Sequence, residues 1–472
     1  MAGASALLLG GCSADQPPPP KEDHQTAAPP IKGNWTISDL LKSDLFYVAH
    51  RGSADNWVEQ SWDAYANSVR AGARAIEISV NATSDGVLVC HHDPTTRRLS
   101  KESVTISRTT WAELSTIPND AREWLGPSVE PKPIPRLSDV LDAFAETHVI
   151  FIEDKQGTNT GAVLDLMDTY KDSTSHFVWK QWAGSRQYDR PLARGYKRWG
   201  YFTTDIMYRI KELQARFDYL GVPTTASDNQ VEALVGFGKP VVGWEVHTRS
   251  VRDRLSKLGV QGMMCANIPY LTKNVRAAAD TFGSGVRAAG DLPWTTSKGW
   301  SYQPSFDLIT SALTIGKAGI QSYVMGSMAP IEKDTYELSF ELRWPDGLPA
   351  EADHVGIAFG QPDDSAYRVR VPSEVAGYHV IFRANGVLEL FARQANSVEG
   401  TRLEAAPTTA AVPGQWMKFT VRVTPDRISV GREGLDIWDF EVQDSKYRGG
   451  YFSLCKNYNE GPPVQFRSIT VS

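Results

Sequence analysis

The sequence predicts an α/β protein with two folded parts: a (β/α)8 TIM-type barrel, then an all-β sandwich of jelly-roll, lectin-like type. Three observations lead there. The chain has 472 residues, more than one average domain holds. From Asp44 to Leu292, short apolar runs alternate with amphipathic helical patterns. Repeated β-α units imply a parallel sheet, and a span of about 250 residues is the usual size of a closed barrel. After about Pro293 the helical period vanishes and strict two-residue alternation replaces it, the mark of many short antiparallel strands.

In chain order, the N-terminus comes first. "ASALLLGGC" is a short apolar run ending at Cys12, and Leu9-Gly10-Gly11-Cys12 resembles the lipobox of bacterial lipoproteins, in which the cysteine is lipidated. The run is too short to cross a bilayer, which takes ~20 residues. A signal segment carries a basic leading region. Met1 to Gly11 holds no Lys or Arg, so further residues are expected upstream. The Pro-rich stretch that follows reads as an extended tether. The expected division is therefore a signal segment over 1–12, a tether over 13–43, the barrel over 44–292 and the sandwich over 293–472. The other cysteines, Cys90, Cys265 and Cys455, lie in apolar strand patterns without metal-binding spacing and read as buried free thiols.

Nine runs have strand character in the first part: "FYVAH", "RAIEISV", "VLVCHH", "HVIFIEDK", "FVWKQW", "WGYFTT", "FDYLGV", "VVGWEVH" and "GMMCAN". A barrel needs eight, so one is misread or lies outside it. Between them, Trp62, Tyr65 and Val69 form one helical face, and Leu137, Val140, Leu141 and Phe144 form another. A third helix starts at Ser250 as N-cap, buries Val251, Leu255 and Leu258, and stops at Gly259. In the second part "YELSFELRW", "YRVRV", "YHVIF", "VLELFA", "MKFTVRV" and "VQFRSITV" alternate, joined by turns such as Asn385-Gly386.

Composition limits the partners. A net charge of −6 excludes a nucleic-acid partner, which needs a basic face. The 14 Trp are read first as core packing and second as a lining for sugar or lipid headgroups.

Chemistry in a barrel sits at the C-terminal strand ends. Period-2 alternation there puts Glu77, Ser79 and Asn81 on one face of their strand, Cys90 and His92 on one face of the next with His91 opposite, and Phe151, Glu153 and Lys155 together. The inward polar set is His50, Glu77, His92, Glu153 and Lys155, with Arg51 beside it. Two carboxylates can hold a hard divalent cation. Two histidines can serve as general acid and base about a phosphorus. Arg51 and Lys155 can neutralise phosphate oxygens. Each residue alone has a plain structural reading, but this many charges at strand ends are costly to bury without a purpose.

These residues resemble the glycerophosphodiester phosphodiesterase family over roughly Phe46–Tyr270, with spider-type sphingomyelinase D as a more distant cousin. "AHRG" resembles the family's opening His-Arg-Gly. "VEQSWDAYANSVRAGARAIEISV" is similar to its Glu-Asn-Thr helix, with Glu59 at the start, and its Glu-x-Asp strand. "SDGVLVCHHD" and "FIEDK" resemble its Asp-Gly-x-x-Val-x-x-His-Asp and Glu-x-Lys. The resemblance implies His50 and His92 as the acid–base pair and Glu77 and Glu153 as metal ligands. Arg51 and Lys155 become phosphate contacts, and Trp244 a pocket wall. Glu59, Ser79 and Asn81 support the site, while Asp85 and Asp93 order the turn and the His92 loop. Ser79 departs from the pattern, because the family's second strand carboxylate would stand there. The implied cofactor is a weakly bound Mg²⁺ or Ca²⁺.

The expected activity is metal-assisted hydrolysis of a glycerophosphodiester, small molecule or polymer, to glycerol phosphate and an alcohol. The alternatives are a phospholipase-like lyase that forms a cyclic phosphate and a catalytically weak glycan- or lipid-binding lipoprotein. The expected setting is the bacterial cell envelope, reached by secretion and a lipid anchor on Cys12 that is the sole membrane contact. The sandwich is either a binder of cell-wall glycan or a structural companion.

Overall fold

Eight apolar runs become parallel strands: β1 Phe46–Ala49, β2 Ala75–Ala82, β3 Val149–Asp154, β4 Phe177–Trp182, β5 Lys197–Tyr201, β6 Tyr219–Pro223, β7 Val241–Val246 and β8 Gly262–Cys265. Each pairs in parallel with its neighbour, and β1 pairs with both β8 and β2, which closes a TIM-type barrel. The computed structural model describes residues 33–125, 129–186, 188–272, 305–307, 309–316, 323–325, 330–365, 367–432, 438–458 and 461–472. The lipobox-like segment, most of the tether and the boundary near Pro293 lie outside these residues. Among the described residues no helix is long and apolar enough to cross a membrane.

The ninth run is the one outside the barrel. Leu88–Cys90 pairs antiparallel with β2, Val80 opposite Cys90, as the second arm of a hairpin. Its turn is the Thr-Ser-Asp-Gly stretch, where Gly86 has a φ of 85° and Thr83 Oγ1 donates to Asp85. His92 therefore arrives on a loop beyond a hairpin arm and not at the end of a barrel strand.

Strand alternation sorts two cores. One face of the strands meets the surrounding helices through residues such as Ile76, Ile78, Ile150, Ile152 and Leu220. The other face fills the barrel interior with Phe46, Val48, Ala75, Val149, Phe151, Val178, Trp199 and Met264. Ile37 and Leu40 join this interior cluster from the short helix Ile37–Leu41, which is held by a Thr36–Asp39 capping box. Packed structure thus begins inside the stretch expected to be tether, because that stretch carries an N-cap and two apolar residues one turn apart. The helix Leu137–Phe144 buries the face read from sequence, and Trp62–Arg70 buries Tyr65 and Val69 with Trp62 half-buried beside them. The helix Arg249–Lys257 starts one residue before Ser250, with Thr248 as N-cap.

Among the described residues, the second part forms two antiparallel sheets of seven and six strands. In Tyr336–Arg343 burial alternates residue by residue, and Phe340 stacks on Phe419 in the shared core. "YRVRV" is not a strand. Arg370 has a φ of 61°, and Arg393 draws the carbonyls of Arg368 and Val371 onto its guanidinium, so this backbone bonds to a side chain instead of a ladder. Cys90, Cys265 and Cys455 are free and buried, as expected. A buried carboxylate ties the two parts together. Asp364 of the sandwich accepts from the backbone N–H groups of Arg249 (2.5 Å) and Ser250 (2.7 Å) and from the hydroxyl of Tyr270 (2.7 Å).

Candidate active site

The polar residues of the barrel interior converge at the C-terminal ends of the strands. His50 follows β1 in a tight turn whose Arg51 has a φ of 52°. That left-handed conformation is held by the Arg51 N–H, which donates to Glu77 Oε2 at 2.9 Å. Gly52 is required beside it: its φ is 79°, and a Cβ there would meet Ala64 Cβ at 2.7 Å.

Glu77 is fully buried at the centre of β2. Its Oε1 accepts from Lys180 Nζ at 2.6 Å and from Ser79 Oγ at 3.1 Å. Glu153 accepts from the Tyr201 hydroxyl on Oε1 at 2.7 Å, and on Oε2 from Lys180 Nζ at 3.0 Å and Lys155 Nζ at 3.2 Å. Burial alone would raise both carboxyl pKa values, but the Lys180 ammonium shared between them holds both below the usual range. Lys180 is buried too, and the two carboxylates outweigh its loss of solvation, so its pKa rises and it stays charged.

Each histidine has a carboxylate neighbour. His50 Nδ1 is 3.5 Å from Glu245 Oε1, and its Nε2 is 4.0 Å from Glu77 Oε2. Burial pushes the His50 imidazole down to about 4, against the pull of Glu245, so it is neutral near pH 7. Glu245 is in turn 3.5 Å from His247 Nε2, while His247 Nδ1 is 2.8 Å from Asp55 Oδ2. Despite burial, these two carboxylates lift His247 to about 9. On the other side, His92 Nδ1 is 2.7 Å from Asp93 Oδ1, and Asp93 Oδ2 accepts from Arg98 Nε at 2.7 Å. Burial lowers the His92 pKa, with Arg51 and Lys155 adding to the shift. His91 is fully buried, with Nδ1 2.9 Å from the Asp93 carbonyl.

The supporting residues have definite tasks. Buried Glu59 accepts from Arg51 Nη1 at 3.2 Å and from Arg98 through both Nη atoms at 2.9 and 2.6 Å, tying the two arginines together. Asn81 donates to the carbonyls of His91 and Asp93 and so fixes the His92 loop. Trp244 packs edge-on against Tyr201 with centroids 5.4 Å apart and walls the interior.

The expected inward set is therefore brought together, and sequence reasoning missed Lys180, Tyr201, Glu245, His247, Asp55 and Arg98. Lys180 and Tyr201 were open to the same alternation that found Glu77: Val178 and Lys180, and Trp199 and Tyr201, share parity in their strands. Glu245 was hidden, because β7 shifts register against β8 between Gly243 and Val246 and so leaves strict alternation. Arg98 ends the single 3₁₀ turn Thr96–Arg98 and Asp55 lies on a loop, and neither carries a periodic signal.

A divalent cation at Glu77 and Glu153 does not fit these residues. A hard cation takes six or more oxygen ligands. Here all four oxygens of the two carboxylates already accept hydrogen bonds, and Ser79 donates to Glu77 where a third carboxylate would be needed. Among the described residues no group of three or more His, Cys, Asp or Glu side chains is arranged to hold a metal ion.

Comparison with known proteins bears on the same region. The model of the glycerophosphoryl diester phosphodiesterase family matches residues 50–214, from His50 through β5 and short of Trp244. YhdW of Bacillus subtilis, provisionally named a glycerophosphodiester phosphodiesterase, is 22% identical over 245 residues, 49% of this chain and 98% of that one. The glycerophosphodiester phosphodiesterase of Caldanaerobacter subterraneus is 31% identical over 111 residues, 23% of this chain and 45% of its own length. Among solved structures, a phosphodiesterase of Oleispira antarctica in complex with sn-glycerol-3-phosphate is 17% identical, with a TM-score of 0.43 over 48% of this chain and 95% of that one.

Proposed function

The barrel of this chain belongs to the glycerophosphoryl diester phosphodiesterase family, and on that premise we propose that the protein is an enzyme hydrolysing glycerophosphodiesters to glycerol phosphate and an alcohol. The observation that carries the chemistry is the pair of histidines, each beside a carboxylate, at a barrel mouth that also holds Arg51, Lys155 and Lys180. His50, neutral near pH 7, accepts a proton from the attacking water. His92, with Nδ1 on Asp93, gives its proton to the leaving alcohol oxygen, and the bound phosphate anion favours the imidazolium this requires. The bond from phosphorus to the alcohol oxygen breaks as the new one forms, and solvent exchange returns both histidines to their starting states. The three cations offset charge that grows on the non-bridging oxygens. The test is release of glycerol phosphate from glycerophosphocholine, glycerophosphoethanolamine and a glycerol-phosphate polymer. Release from at least one is expected, and folded protein inert on all of them would refute the reading.

A second reading, for the sandwich, is that it binds a cell-wall glycan. A cavity of about 210 Å³ is lined by His354, Tyr367, His379, Phe391 and Arg393, among others. His354 Nδ1 and His379 Nε2 are buried and have no hydrogen-bond partner among the described residues. Burial holds His354 down at about 3 and His379 well below its usual range, so both rings are neutral. Neutral ring nitrogens beside aromatic faces suit the hydroxyls of a single sugar unit. Co-sedimentation with purified cell wall, lost on His379→Ala, is expected; equal sedimentation of both proteins would argue against it. We also propose anchoring through Cys12, supported by Leu9-Gly10-Gly11-Cys12 and the Pro-rich run after it. Cys12→Ala should move the protein out of the membrane fraction of cells.

A further inference from the structure

We propose that the ammonium of Lys180 replaces the divalent cation at this site, so that the enzyme cleaves its phosphodiester without a metal ion. The inference rests on the phosphodiesterase reading and concerns how that reaction is supported. The family resemblance implies a divalent metal held by Glu77 and Glu153. In this chain Ser79 stands where the resemblance places a second strand carboxylate, and Ser79 Oγ and Lys180 Nζ both donate to Glu77 Oε1. Lys180 Nζ bridges the two carboxylates expected to be metal ligands, 2.6 Å from Glu77 Oε1 and 3.0 Å from Glu153 Oε2.

Three features separate this from an ordinary salt bridge near a metal site. First, the lysine is directed inward by its strand. It has the parity of Val178, which packs in the barrel interior, and its Nζ sits 5.5 Å from the Tyr201 ring centroid and 6.0 Å from that of Trp199. Second, every oxygen of the two carboxylates already accepts a hydrogen bond. Arg51 N–H and Ser79 Oγ complete the shell of Glu77, and Tyr201 and Lys155 complete that of Glu153. Third, the charge closes locally. Two carboxylates face two ammonium groups, Lys180 and Lys155, so a divalent ion would leave a surplus of two positive charges in a buried space.

The serine and the lysine then form one exchange. A carboxylate at position 79 would supply the charge that a metal needs, whereas a hydroxyl there leaves a site that one fixed monovalent cation satisfies. Lysine is suited to this as a compact point charge on a long stem. It does not acidify a bound water as a metal does, which leaves activation of the nucleophile to the histidines.

The experiment uses the full chain in two arms. In the first, turnover of a glycerophosphodiester is measured after exhaustive chelation and again with added millimolar Mg²⁺, Ca²⁺ or Mn²⁺. Rates equal within twofold are expected; loss with chelator and recovery with metal overturns the proposal. In the second, Mn²⁺ binding is followed by electron paramagnetic resonance, which needs no activity. Wild type should bind no Mn²⁺ at this site at millimolar concentration. The double variant Lys180→Met, Ser79→Asp should bind about one ion per chain, provided its circular dichroism matches wild type. Stoichiometric binding to wild type that is lost in Glu77→Gln overturns the proposal whether or not the variant folds. A wild-type protein inert on every diester would count against the phosphodiesterase reading alone, because the binding arm still decides the role of Lys180.

Discussion

At the scale of single residues, the barrel mouth pairs each charge with an opposite one and leaves two imidazoles, which we propose move the protons. His50→Ala and His92→Ala should each lower kcat by about 10²- to 10⁴-fold, the range of general acid–base catalysis. His91, buried and turned to a backbone carbonyl, should matter to stability more than to turnover. Because burial pushes His50 down to about 4, its base form persists below the range of an ordinary histidine. The acid limb of the kcat/KM profile should therefore fall near pH 4–5 instead of near 6.5. Glu245 raises the His50 pKa, and on the proposed mechanism it positions that ring. Glu245→Gln should lower kcat and move the acid limb to lower pH, whereas a purely structural role would leave the limb in place.

At the scale of elements, alternation did most of the work and its failures have physical causes. Inward Glu77, Ser79 and Glu153 were legible because β2 and β3 are regular and pair in register, Ser79 opposite Glu153. Lys180 was equally legible by parity, yet a lysine inside an apolar strand is easily passed over as solvated when its partners sit on other strands. Glu245 was not legible, since an irregularity in pairing is set by the neighbouring strand and not by local sequence. The hairpin arm Leu88–Cys90 looks like a barrel strand because antiparallel and parallel strands share the same short apolar pattern. The turn after β1 offers a sharp test. Gly52→Ala would force a side chain into both a left-handed φ and the Ala64 methyl. A fall in melting temperature together with at least tenfold lower activity is expected, because the same turn carries His50 and Arg51; wild-type values for both would show that the turn is slack.

At the scale of the whole molecule, the sandwich is tied to the barrel beside the catalytic strands. Asp364 caps the helix that follows Glu245 and His247, so loss of its three hydrogen bonds should reach the site. Asp364→Ala should cost about 1–3 kcal/mol, the penalty for leaving buried donors unpaired, read from chemical denaturation. A chain ending near Asp291 should be less stable than the whole protein for the same reason. Stability should also depend on pH with a definite sign. His50, His148 and His354 have folded pKa values of about 4, 4 and 3, below the value of 6.5 for an unperturbed histidine. The unfolded chain then binds more protons between these limits, so stability is lost as pH falls from about 6.5 toward 4. His247, raised to about 9, acts oppositely and withdraws its contribution as pH rises through 9. The central claim is that the barrel mouth cleaves glycerophosphodiesters through His50 and His92. The most direct test is a ³¹P NMR time course of glycerophosphocholine with wild type, His50→Ala and His92→Ala, all shown to be folded. With wild type the diester signal should give way to glycerol phosphate, and with both variants it should persist. A diester signal untouched by wild type, or consumed at the wild-type rate by either variant, would contradict the claim.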